Sequence, residues 1–238
     1  MKIPDQDERV PTGIEGFDEM SNGGFPKNAV NILTGRAGSG KTLFSTHFAV
    51  EGSQHDDTTV YISVDDTKNA VLRAARQYDL GLENAIETGD VVLHDYETLK
   101  ERTGQSLVDF DDLTRMIDQL LNPHNADRLV LDSVAGLGLA EDSPNDVRRS
   151  ILRFIRRVRE NDVTSLFVTE QWEDKETRYG VEEYVGDSLV ILGLEQMQNQ
   201  LSRSISIRKM RFTDHDTSFR PIEITGDGMV VHKQGQVF

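Results

Sequence analysis

Short apolar runs alternate with amphipathic stretches through the first 170 residues. Residues 30–34, 59–64, 91–94, 129–132 and 165–169 read as strands. The runs Tyr61-Ile62-Ser63-Val64 and Leu129-Val130-Leu131 are nearly continuously apolar, as parallel strands buried on both faces require. Between them, residues 41–54, 68–78, 107–121 and 145–160 carry apolar side chains at helical spacing, and Ser143-Pro144-Asn145 offers a cap for the last of these helices. The alternation predicts the α/β class, with a mostly parallel central sheet flanked by helices. After residue 185 the pattern changes. Residues 188–194, 202–212, 221–224 and 229–232 read as further strands, and Gly226-Asp227-Gly228 as a tight turn between the last two. These predict a C-terminal antiparallel β extension. No repeat or low-complexity linker divides the chain, so residues 1–238 are read as a single domain.

The first predicted strand runs into Gly35-Arg36-Ala37-Gly38-Ser39-Gly40-Lys41-Thr42, a complete G-x-x-x-x-G-K-[ST] phosphate-binding loop, and a helix follows at once. Glycines let the backbone wrap phosphate oxygens, and the helix start presents unpaired N–H groups to them. Lys41 would reach the β- and γ-phosphates, and the Thr42 hydroxyl would ligate Mg²⁺. The apolar strand Leu129-Val130-Leu131 ends in Asp132, placed to orient Mg²⁺ through its waters. Asp65-Asp66 follow the strand beside the loop. One of them can polarise the attacking water, while Asp66 can also cap the helix beginning near Lys68.

Composition narrows the classes. The chain has 41 acidic and 26 basic residues, a net charge of −15, and no cysteine. Disulfides, thiolate metal sites and cysteine nucleophiles are excluded. The negative field disfavours nucleic acid and anionic membranes as partners, and the acidic excess reads as adaptation to high salt. With neither an apolar run of eighteen residues nor the apolar centre of a signal peptide, the expected location is the cytoplasm. The helix at 145–160 carries Arg148, Arg149, Arg153, Arg156, Arg157 and Arg159 around an apolar stripe of Val147, Ile151, Phe154, Ile155 and Val158. Those arginines suit a solvated face or a subunit contact better than nucleic acid. Gln171-Trp172, after the fifth strand, could sense the γ-phosphate and couple it to the charged loop 173–179. Lys209, Arg211 and His215 cluster at the end of the strand 202–212. They are either a solvated strand end or fingers supplied in trans to a neighbour's nucleotide.

Taken in order, these motifs resemble the KaiC domain of the RecA-like ATPases, over residues 10–232. The segment Pro11 to Asp18 with Gly23-Gly24, the phosphate loop, the acidic pair, Asp132, Tyr179 to Glu183 and Lys209 to His215 all look like family blocks. The resemblance implies a RecA-like core, ATP as nucleotide with Mg²⁺, and a homo-oligomeric, usually hexameric, ring with ATP between subunits. By matched position Gly38, Ser39, Gly40, Lys41, Thr42 and Leu43 would hold the phosphates, and Asp65 and Asp66 replace a catalytic glutamate pair. Lys209, Met210, Arg211, Thr213 and His215 fall where the adjacent subunit contacts the nucleotide. Three departures matter. The acids are each one methylene shorter, which implies slow hydrolysis. Phe212 stands where glycine is usual. Glu183-Tyr184 replace the hydroxyl pair that the two-domain clock protein phosphorylates, so autophosphorylation is not expected. Three functions remain open: a slow ring-forming ATPase acting as a nucleotide-dependent switch or scaffold, a DNA-associated recombination or repair ATPase, and a non-hydrolysing assembly module of a motility or signalling complex.

Overall fold

The computed structural model describes residues 8–140, 143–172, 175–197 and 200–233. The predicted loop 173–179 therefore has its first two residues outside the described part, as does the amino-terminal segment 1–7. The strands are β1 (Arg9–Val10), β2 (Phe25–Pro26), β3 (Val30–Gly35), β4 (Thr59–Ser63), β5 (Val91–Asp95), β6 (Arg128–Asp132), β7 (Thr164–Glu170), β8 (Ser188–Met197), β9 (Gln200–Met210), β10 (Arg220–Thr225) and β11 (Gly228–Val231). The α-helices are α1 (Phe17–Met20), α2 (Lys41–Glu51), α3 (Lys68–Ala75), α4 (Leu82–Thr88), α5 (Tyr96–Thr103), α6 (Phe110–Leu121), α7 (Pro144–Arg159) and α8 (Glu182–Val185).

One nine-stranded sheet has the order β11-β10-β9-β8-β3-β7-β6-β4-β5. Its six strands from β8 to β5 are parallel, and β9, β10 and β11 are antiparallel. The predicted class and extension are what is found, with one correction. The strand at 188–194, read from sequence as the start of the antiparallel part, pairs in parallel with β3 and so belongs to the core. The Gly226-Asp227 turn joins β10 to β11 as expected, with Thr225 opposite Gly228.

Side-chain alternation along the strands sorts the core into two layers. In β4, Tyr61 points to the layer built on Phe44 and Phe48 of α2, Val71 of α3 and Leu82 of α4. Val60 and Ile62 point to the other, built on Leu99 of α5, Leu113 and Ile117 of α6, and Ile151 and Phe154 of α7. The lead-in segment closes the first layer. There Phe17, Phe25 and Phe44 meet edge-on or tilted, with centroids 5.1–6.2 Å apart. Asp18 ties this segment down by accepting from the Thr12 and Gly13 N–H groups and the Thr12 hydroxyl.

Helix starts follow local chemistry. Asp109 and Asp112 form a reciprocal capping box on α6, so that helix begins at Phe110 rather than at residue 107. Ser143 caps α7 as predicted, accepting from the Asp146 N–H. Thr67, not Asp66, caps α3, its hydroxyl accepting from the Ala70 N–H. The capping role considered for Asp66 is therefore taken by its neighbour.

Candidate nucleotide site

The loop from Gly35 to Thr42 lies at the carboxyl end of β3, in the middle of the sheet, with β7 and β8 on either side. Gly38 (φ +81°) and Gly40 (φ +106°) occupy backbone conformations that L side chains rarely adopt, so the sequence pattern is set by the turn itself. The hairpin of β10 and β11 backs the loop: a side chain at Gly40 would meet the Met229 ε-methyl at 2.9 Å. Leu43 is buried beneath. The Lys41 ammonium donates to the Gly35 and Arg36 carbonyls at 2.9 and 3.1 Å. Burial pushes its pKa down, and Glu170, Asp132 and Asp65 pull it back up.

Asp132 ends β6 at the same edge, and its carboxylate is hydrogen-bonded by the Thr42 and Tyr61 hydroxyls. Burial raises its pKa to about 6 against those two bonds, and Asp65 adds to the rise. Asp65 and Asp66 follow β4 after the buried Val64, and both are exposed. The Ser133 hydroxyl donates to Asp65 Oδ2 at 2.6 Å, and partial burial still raises the Asp65 pKa. The Asp66 backbone carbonyl accepts from Ser63 Oγ at 2.8 Å. Lys41, Thr42, Asp65 and Asp132 are thus neighbours, although β4, expected from the sequence beside the loop strand, does not lie there: β7 and β6 stand between β3 and β4.

Two residues that sequence reasoning missed join them. Glu170 lies opposite Gly35 in the β3–β7 register and leads the acids that act on Lys41. Ser133 holds Asp65. Nothing in the linear pattern marks either one, because both enter through strand pairing.

The donor set fits a Mg²⁺–nucleotide. Among the described residues no cluster of three or more His, Cys, Asp or Glu is arranged to cage an ion. Mg²⁺ keeps several waters and uses one or two protein oxygens plus phosphates, which Thr42 and Asp132 can supply. The buried Ser39 Oγ has no protein partner, an orphaned polar atom inside the phosphate loop.

The Lys209 to His215 block lies elsewhere. Met210 pairs with Ser188, and Asp187 N–H donates to the Val30 carbonyl, so the block sits at the amino end of β3. There Lys209 donates to the Glu183 and Gly186 carbonyls, both at 2.7 Å. Arg211 pairs with Asp187, which also receives Arg159 and the Val30 N–H. Thr213 receives Arg9 at 2.7 Å, and His215 Nδ1 lies 3.1 Å from the Thr213 carbonyl. β9 is an interior strand, and the cluster lies at and just beyond its carboxyl end, with Arg211 exposed and Lys209 and His215 partly buried.

The remaining sequence candidates are also placed. Gln171 donates to Glu176, and the exposed Trp172 carries the Arg178 guanidinium 3.6 Å from its ring centroid. On α7, Arg149 pairs with Asp146, Arg153 with Asp111, Arg157 with Asp118 and Glu160, and Arg159 with Asp187. Four of the six arginines thus answer acids of the same chain, which leaves little of a cationic stripe. No described helix is long and apolar enough to cross a membrane.

Comparison with known proteins bears on the family and the fold. A family model described as "ATPase: KaiC" matches residues 10–236. The circadian clock oscillator protein KaiC of Parasynechococcus marenigrum is 30% identical over 236 residues, covering 97% of this chain and 46% of that protein. Its counterpart in Synechococcus elongatus is 31% identical over 233 residues, covering 95% and 44%. The chain therefore spans a little under half the length of these relatives. A crystal structure of a KaiC-like protein from the hyperthermophilic archaeon Pyrococcus horikoshii superposes with a TM-score of 0.84 at 30% identity, covering 95% of this chain and 99% of that one. With a mostly parallel core, a phosphate loop on its central strand and a family match across nearly its whole length, the chain belongs to the KaiC family of RecA-like ATPases.

Proposed function

We propose that the chain is a slow, Mg²⁺-dependent ATP hydrolase whose site is completed by a second copy of itself in a closed, hexameric ring. It would serve as a nucleotide-dependent switch or scaffold in the cytoplasm, with residues 1–238 acting as one domain. The observation that carries this reading is the separation of two half-sites. The phosphate loop lies at the carboxyl end of β3, and Lys209, Met210, Arg211, Thr213 and His215 lie at its amino end. A six-residue strand spans roughly 20 Å, beyond the reach of an arginine or lysine side chain. A block facing away from its own loop can meet a nucleotide only on another subunit.

Within one site Gly38, Ser39, Gly40, Lys41, Thr42 and Leu43 hold the phosphates. Thr42 and Asp132 would hold the ion, which when bound would neutralise charge developing on the phosphoryl oxygens. Asp65 or Asp66 orients water, and the shorter acids support a slow turnover. Lys209 and Arg211 of the neighbour stabilise transferred charge. The pairing of the α7 arginines with acids of the same chain favours this reading over a DNA-associated one.

Size-exclusion chromatography with light scattering, in high salt with and without ATP–Mg²⁺, tests the proposal. A nucleotide-dependent ring is expected, and Lys41→Ala should abolish ATP binding. A monomer that turns over ATP at full rate would sink the shared site, and turnover stimulated by single-stranded DNA would favour the recombination class. Bound ATP without turnover would favour an assembly module.

A further inference from the structure

Tyr61 is fully buried, yet its phenol is not spent on the core. In the β4–β6 register Tyr61 lies opposite Val130, so Asp132, two residues on, is its diagonal neighbour on the same face. The phenol spans that offset and donates to Asp132 Oδ2 at 2.9 Å. Behind the phenol stands the buried Ser45 hydroxyl, three residues beyond Thr42 on α2. The Thr42 hydroxyl also bonds the carboxylate. Two hydroxyls, from β4 and α2, therefore fix one carboxylate on β6.

A phenylalanine would fill the same apolar space beside Val130 and Leu166, and hydrophobic packing gives no reason for the oxygen. Its one proton is donated to the acid that the proposed function assigns to Mg²⁺. Groups that orient a metal-binding carboxylate without touching the metal typically change metal affinity 10- to 100-fold when removed.

We infer that Tyr61 is a positioning residue for the metal: its hydroxyl holds Asp132 in the rotamer that Mg²⁺–nucleotide requires. The inference rests on the assignment of Asp132 to the metal, and the test separates the two. A fluorescent ATP analogue is titrated into the whole chain in EDTA and then across a Mg²⁺ series, for wild type, Tyr61→Phe, Asp132→Asn and the double variant. Expected for Tyr61→Phe are a cooperative melt, an EDTA affinity within about twofold of wild type, and a Mg²⁺ half-saturation raised about tenfold. In the Asp132→Asn background the same change should move nothing further.

An unchanged Mg²⁺ half-saturation in Tyr61→Phe overturns the inference, and so does loss of EDTA binding to the same extent. A variant that no longer melts cooperatively assigns the hydroxyl to the fold and overturns it too. If instead Asp132→Asn leaves the Mg²⁺ response at wild-type strength, the assignment of Asp132 has failed, and the inference falls with it.

Discussion

Ser133 Oγ donates to Asp65 Oδ2 at 2.6 Å, which joins the first acid after β4 to the residue directly after the β6 aspartate. Asp65 also lies within the electrostatic reach of Lys41 and Asp132. Asp66 raises the Asp65 pKa but shows neither of those links. The two acids, equivalent in sequence, are therefore unequal in space. Asp65→Asn, which keeps the shape and removes the charge, should lower ATP turnover about 100-fold or more, as expected for loss of a general base. Asp66→Asn should cost less than about fivefold. Single-turnover assays of both variants check this, and the reverse order would reassign the role to Asp66.

Arg211 shares Asp187 with Arg159 and the Val30 N–H, so removing it leaves that carboxylate partnered. Arg211→Ala should therefore melt within about 1 kcal/mol of wild type, as partly exposed pairs generally do. ATP turnover or ring assembly should fall while ATP still binds. Mixing Arg211→Ala with Lys41→Ala chains sharpens the measurement. Activity recovered in mixed rings is expected if the arginine acts in trans, and its absence counts against a shared site.

His47 joins the phosphate-loop helix to two distant segments. Its Nε2 accepts from the Met229 N–H at 2.9 Å, and its ring also bonds the Gly13 backbone. Burial pushes its pKa down to about 4 from 6.5. The folded chain then binds fewer protons than the unfolded chain between those values, so stability is full above pH 6.5 and declines as pH falls toward 4. The span corresponds to roughly 3 kcal/mol. His94, pushed down to about 4 chiefly by burial, acts the same way. Asp132, raised to about 6, acts oppositely and favours the fold in acid. Urea unfolding of wild type and His47→Gln from pH 7.5 to 4.5 cancels the other groups. The wild type should lose more stability on acidification, by up to about 1.4 kcal/mol per pH unit, and parallel curves would refute the assignment.

Phe212 has φ +62° and is half exposed, with its carbonyl accepting from Arg9. A left-handed backbone costs a non-glycine residue roughly 1 kcal/mol, which explains why glycine suits this position. Phe212→Gly should stabilise the chain by about that amount in urea titrations. Phe212→Ala, which keeps the Cβ that causes the strain, should not. Equal effects would trace the change to the lost ring rather than to the backbone.

Much of this architecture was legible in the sequence because it rests on local rules. The phosphate loop needs glycine where the backbone turns left-handed, and the strands from β3 to β7 are buried on both faces, so each announces itself. Helices α4 and α5 did not. They are seven and eight residues long and end in Gly89 and Gly104. Only Leu82 and Ala85 in α4, and Leu99 in α5, are buried, too few to set a helical period. The direction of β8 was equally hidden, since an apolar strand reads the same whether its neighbour runs with it or against it. Glu170, Ser133 and Tyr61 became visible only through register: Glu170 pairs with Gly35 across 135 positions of chain. Sequence motifs locate what the backbone must do. Strand pairing decides which side chains keep them company.

β8 hydrogen-bonds to β3 on one side and β9 on the other, so a single strand separates the phosphate loop from Lys209 and Arg211. The β8–β9 ladder runs from Ser188–Met210 to Met197–Gln200, with a register shift between Leu189 and Val190. A pleated ladder is stiff along its strands and has no hinge in the span from the loop to that shift. Leu192, opposite Gly35, lies on the near side of that shift, and Leu189, opposite Lys209, on the far side, so the ladder's one irregularity stands between the loop and the basic block. Strain at the amino end of the sheet therefore meets an irregular rung before it meets the nucleotide site.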